Sequence, residues 1–209
     1  MQSAGKFGLA THEFKTLSRL RNPMAVQDFL NTLPINFERR GETCQSPRQV
    51  LLTHTAHCME GAMLAALALR LQSRKPLVMD LKSVWHDDDH VVALFKERGC
   101  WGAVSKTNHA VLRYREPIYK TLRELAMSYF HEYFTNDGNK TLRSYSRPVN
   151  LSRFDARGWM TSTKNVWYVP RYIDKVKHYP LLTSTMIKHL RKADQIEIQA
   201  GKLVEWKKP

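Results

Sequence analysis

One segment constrains this chain more than any other. Residues 58–72, CMEGAMLAALALRLQ, are built almost entirely from Ala, Leu and Met, all strong helix formers. The stretch is apolar nearly all round. A helix of that kind cannot sit on a surface and must be enclosed on every side by other elements. Its small residues Gly61, Ala62, Ala65 and Ala66 let a sheet come close. The chain therefore needs a buried central helix and enough flanking structure to cover it.

The flanks supply that structure. Asn22-Pro23 and Ser46-Pro47 each pair a capping side chain with a proline suited to the first helical position. They predict helices over about 23–33 and from 47 onward. After residue 72 the period changes. LVMDL after Pro76, HVVALF at 90–95 and residues 100–104 read as strands, the last two joined as a hairpin through Lys96–Gly99. Glu116-Pro117 is expected to open an amphipathic helix over 117–134, closed by a turn at Asn136–Asn139. Farther on, 164–170 reads as a strand, 184–192 as a short basic helix and 196–206 as a terminal hairpin. Helices, a buried helix and then hairpin-ordered strands make an α+β fold with helices packed on a small, mainly antiparallel sheet. The expected organisation is a polar, basic segment over 1–22 whose composition permits disorder, a core over 23–134, and a C-terminal elaboration over 135–209 packed on that core.

Composition narrows the function classes. Lys and Arg total 33 against 19 Asp and Glu, a formal net charge of +14 in 209 residues. Such an excess suits a polyanionic partner. The charges are dispersed, however, and no signature of an RNA-recognition or zinc-knuckle module is present, so nucleic acid is not the favoured partner. The basic-aromatic stretches Arg113–Arg115 and Arg143–Arg147 read as ordinary surface. Three cysteines, Cys44, Cys58 and Cys100, fit reduced thiols in a cytoplasmic setting better than a disulfide framework. No apolar run reaches the roughly 18 residues of a membrane helix, so no membrane partner is expected.

Cys58 opens the buried helix. The helix dipole and unpaired N–H groups favour thiolate there. His90 begins a strand that follows. Helix-start Cys and strand-borne His form a nucleophile–base pair when the fold brings them together. In an extended chain His86, Asp88 and His90 point the same way, a set able to bind zinc or iron. Consecutive acids equally describe a solvated loop, and no HExxH spacing supports a metal. No metal or other cofactor is expected.

These pieces resemble the transglutaminase-like superfamily, which shares its fold core with papain-type cysteine proteases. The likeness rests on Cys58-Met59-Glu60-Gly61-Ala62 running to Leu69-Arg70, then His90-Val91, then Gly99 and Trp101, in that order. It covers about residues 46–108. It implies a transglutaminase-like core and a cysteine acyl transferase or amide/peptide hydrolase working through a Cys58 thioester. His90 would be the general base, and the substrate a protein, peptide or other amide. The family places an Asp four residues after the Trp. Here that position is Ser105, so Ser105 or Asn108 is the expected orienter of His90, with Trp85 and Trp101 as candidates near the oxyanion or substrate. The missing carboxylate leaves open a catalytically inactive, basic binding module on the same fold.

Overall fold

The computed structural model describes residues 4–39 and 41–208. Four helices come first: α1 Thr11–Ser18, α2 Pro23–Asn31, α3 Pro47–Thr53 and α4 Cys58–Leu71. The proline-led starts hold. Asn22 Oδ1 accepts from Ala25 N at 2.7 Å and Ser46 Oγ accepts from Gln49 N at 3.3 Å. Residues 4–22 of the basic N-terminal segment do not behave as a loose arm, since Leu17 of α1 is fully buried in the cluster around α4.

Strands β1 Leu77–Lys82, β2 His90–Glu97 and β3 Cys100–Ser105 follow as antiparallel neighbours. They form the centre of a seven-stranded sheet with β4 Arg115–Tyr119 on one edge. On the other side, β5 Ser144–Ser146 and β6 Val149–Asn150 pair with β1, and β7 His178–Pro180 pairs with β5. Both faces of the sheet are covered. Val91, Ala93 and Phe95 of β2 join the cluster around α4, while Val92 and Leu94 join Leu125, Tyr129 and Leu142 behind the sheet. Alternating side chains with an apolar layer on each side explain why β2 reads as an unbroken apolar run. Every residue of α4 from Met59 to Leu69 is buried.

Four expected elements fall differently. The helix over 117–134 is instead strand β4, helix α5 Leu122–Met127 and a 3-10 turn at Phe130–Glu132. Pro117 lies in an edge strand, which tolerates a missing N–H, and α5 starts only at Leu122, after the N-cap Thr121 that forms a capping box with Glu124. The expected strand at 164–170 gives way to helix α6 Tyr168–Ile173, with Pro170 inside the first turn where no N–H is needed. The expected terminal hairpin is helix α8 Gln195–Gly201, since Asp194 and Glu197 form a capping box. The basic helix is shorter than 184–192, with α7 covering Ser184–Lys188.

The C-terminal third lies deep in the architecture. It contributes β5, β6 and β7, and it places Leu151, Phe154, Trp159, Val166 and Val169 in the cluster that encloses α4. Among the described residues no helix is long and apolar enough to cross a membrane.

Candidate active site

Cys58 is the first residue of α4, with His57 in the extended N-cap position. The backbone N–H groups of Cys58 and Met59 have no acceptor among the described residues, as the first turn of a helix requires unless a cap or ligand supplies one. One residue before the thiol, His57 N donates to Glu60 Oε2 at 3.0 Å. Glu60 has no exposed surface. Its carboxylate also accepts from Thr43 Oγ1 at 2.9 Å, Gln45 N at 2.8 Å and Asn36 Nδ2 at 3.0 Å. Glu60 thus ties residues 36, 43 and 45 to the first turn of α4.

Two imidazoles flank the thiol. His57 Nε2 lies 3.1 Å from Thr43 O and 3.4 Å from Glu60 Oε1. Burial works against a charge on His57, but the hydrogen bond with Cys58 and the Glu60 carboxylate outweigh it and raise its pKa to about 9. Burial likewise works against a Cys58 thiolate. Hydrogen bonds from His57 and His90 overcome that penalty and bring the thiol down to about 6. Near neutral pH the arrangement favours thiolate beside imidazolium. Cys44 shows the contrast. Burial, then the charge of Glu60, pushes it up to about 12.

His90 is buried at the start of β2, and its Nε2 lies 2.7 Å from Ser105 Oγ. The Ser105 hydroxyl spends its proton on Leu112 O, 2.5 Å away. Its oxygen must therefore accept from His90 Nε2–H, which fixes the tautomer and leaves Nδ1 for the thiol. Leu112 holds a positive φ of 60° to present that carbonyl. A carboxylate at 105 would face the Leu112 carbonyl with no proton to give it. Ser105 is itself clamped by Gln27 of α2, which accepts from Ser105 N at 2.9 Å and donates to Ser105 O at 2.8 Å.

The remaining candidates do not join this group. Asn108 is no orienter of His90. Its amide grips the C-terminal segment through Trp206 N and Trp206 O, both at 2.9 Å. Trp85 is 96 % exposed and packs edge-on against His86, so it holds no oxyanion. Trp101 sits at the other end of β3 from Ser105, opposite Tyr119 of the edge strand and under the Lys96 ammonium. His86, Asp88 and His90 form no ligand set. His90 is committed to Ser105, while His86 and Asp88 are exposed. The carboxylates that do gather are Asp80, Asp89 and Asp174, within 4.8 Å of one another. Lys82 Nζ already lies 2.6 Å from Asp89 and 3.6 Å from Asp174.

Cys58, His57 and His90 open onto a cleft of about 630 Å³, walled on one side by Tyr133 and on another by Ile198 and Gly201 of α8. Sequence reasoning missed His57, Gln27 and Leu112. For His57 the signal was present, since a His in the N-cap position is adjacent to the thiol by construction. No known protein-family profile matches this chain, and no curated protein does.

Proposed function

We propose that the protein is a transglutaminase-like cysteine enzyme, an acyl transferase or amide/peptide hydrolase that forms a thioester at Cys58. The observation that carries this reading is the site itself. A half-buried thiol at a helix N-terminus shares its cleft with two imidazoles that lower its pKa, and one of them is oriented from behind by a buried hydroxyl. The Cys58 thiolate attacks the carbonyl carbon, and the oxyanion develops against the unpaired N–H groups of Cys58 and Met59. His90, protonated by the thiol, gives that proton to the leaving nitrogen, and the C–N bond breaks to leave the thioester. His90 then takes a proton from water or an amine as it attacks, and collapse releases the thiolate. His57 stays protonated throughout and holds negative charge on sulfur. The Ser105 hydroxyl replaces a carboxylate as orienter, keeping the direction of the His90 ring without adding charge.

The test is acylation. Wild-type protein is incubated with p-nitrophenyl acetate, quenched in acid and mapped by peptide mass. The expected result is an acetyl group on the Cys58 peptide that neutral hydroxylamine removes and that Cys58→Ala abolishes. Acetylation of Cys58 no faster than that of Cys100 would overturn the reading.

A further inference from the structure

A second concavity of about 260 Å³ lies beside the catalytic cleft and shares His86 with it. Lys140, Arg143, Arg191 and Lys192 line it, and no Asp or Glu does. The nearest carboxylates are already engaged. Asp194 holds Arg191 at 2.5 Å, Asp137 accepts from Asn139 at 2.6 Å, and Asp87 accepts from Thr141 Oγ1.

Arg143 is the exception in this molecule. Six arginines are half-buried among the described residues: Arg48, Arg70, Arg74, Arg113, Arg115 and Arg143. Five of them ion-pair with a carboxylate, respectively Glu13, Asp155, Glu97, Glu205 and Glu132. Arg143 pairs with none among the described residues. One of its terminal nitrogens donates to Lys140 O and Leu142 O, both at 3.0 Å. The rest of its fork makes no hydrogen bond to a described residue. Burial alone acts on its charge, lowering the pKa with no carboxylate to offset it. Lys140 and Lys192 form no ion pair within 4 Å of a described carboxylate: their ammonium groups lie 3.2 Å from His131 Nδ1 and 3.4 Å from Asp137 O, and the charges of Asp194 and Asp137 act on them only from farther off. A partly desolvated cation is costly without a counter-ion. The half-buried Arg143 with no counter-ion, joined around one pocket by the half-buried Lys140 and the exposed Lys192, suits a tetrahedral oxyanion of charge near −2 better than a single carboxylate. Ile187 and Leu190 give the same pocket apolar wall, which suits an organic group attached to the anion.

We propose that this pocket binds the phosphate group of a small phosphorylated ligand beside the catalytic cleft. The site stands whether or not Cys58 is a nucleophile. Its cations converge on one concavity and do not track along a groove as a nucleic-acid path would.

Full-length protein is titrated with phenyl phosphate and with inorganic phosphate by calorimetry in 150 mM sodium chloride. A 12-nucleotide single-stranded DNA is titrated in parallel. The expected result is saturable one-to-one binding of phenyl phosphate, weakened at least about tenfold in the double variant Lys140→Ala/Lys192→Ala. The control Lys164→Ala/Lys175→Ala removes the same charge from exposed positions elsewhere and should bind as wild type does. Inorganic phosphate binding as tightly as phenyl phosphate, with the same variant pattern, would still support the phosphate site and assign its recognition to the anion alone. No saturable binding of either phosphate would overturn the proposal. So would equal weakening in the two double variants. DNA binding tighter than phenyl phosphate and equally sensitive to both variants would replace the site with a diffuse polyanion surface. Circular dichroism of each variant confirms that loss of binding is not loss of fold.

Discussion

At the scale of single residues, reactivity at Cys58 follows from the charges placed next to it. Iodoacetamide labelling of Cys58 should rise with a midpoint near pH 6, where its thiolate forms, and stay high at higher pH. The sign is set by the imidazolium, which stabilises the deprotonated form and so moves the thiol downward. In His57→Ala the midpoint should return toward about 8.5, the ordinary thiol value, and labelling at pH 6 should fall more than about tenfold. Peptide mass separates Cys58 from Cys44, whose burial keeps it unreactive in the folded protein. An unchanged Cys58 profile in His57→Ala would refute the role given to that imidazole. Ser105→Ala makes the complementary case. It strips the partner from the buried His90 Nε2 and the half-buried Leu112 O, and should cost about 1–3 kcal/mol of stability by urea denaturation. On the proposed reading, acetylation of Cys58 by p-nitrophenyl acetate should slow with it while the labelling midpoint moves little, because His57 and His90, which lower the Cys58 pKa, remain.

At the scale of elements, α4 is the axis of the site, and Gly61 decides how close the loop after β3 can come. A Cβ at 61 would meet Lys106 Cβ, with Lys106 Cγ 2.9 Å away. Lys106 is almost fully buried, and its ammonium donates to Leu30 O at 3.1 Å and to Leu33 O, closing the C-terminal end of α2. The atom in the way is near the Lys106 backbone, so it cannot swing aside. Gly→Ala inside a helix ordinarily gains about 1 kcal/mol. Gly61→Ala should instead destabilise by about 1–3 kcal/mol through overpacking, read as a lower urea midpoint. A stabilised variant would show that α4 and the 106 loop are not pressed together. This small residue was legible in the sequence as a point of close approach. That the neighbour is a buried lysine of a loop, and not a strand, was not, because Lys106 gives no local signal of burial.

At the scale of the whole molecule, the C-terminal third completes the core that α4 demands. Trp159 is fully buried, and its indole N–H donates to Asp155 at 3.0 Å. Asp155 in turn holds Arg70 at the end of α4. The loop carrying Cys44 is joined to the same region through Asn165 Oδ1 at 3.0 Å and Val166 N at 2.8 Å. Trp159→Ala should therefore destabilise by about 3–5 kcal/mol. Labelling of Cys44, which reports on the other end of the chain, should shift to lower urea in step with the far-ultraviolet transition. A Cys44 transition unmoved by Trp159→Ala would mean that residues 135–209 unfold apart from the rest.

Local chemistry alone determined much of this protein. Proline-led caps set the starts of α2 and α3, the all-round apolar character of 58–72 set a buried helix, and period and breakers set β1 to β3. Each depends on neighbours within a turn or a strand. The same local view placed Cys58 at a helix N-terminus and His90 at a strand start. Tertiary structure decided the rest. Glu116-Pro117 resembles a helix start, yet the edge of the sheet claims it as a strand. Asn108 resembles an orienter, yet the C-terminal segment takes its amide. Ser105 became the partner of His90 because Leu112 O consumes its proton and Gln27 pins its backbone from 78 residues away. A hydrogen-bond partner so distant along the chain leaves no trace in spacing or composition. It exists only once the packing of α4 against the sheet has brought the two ends of the site together.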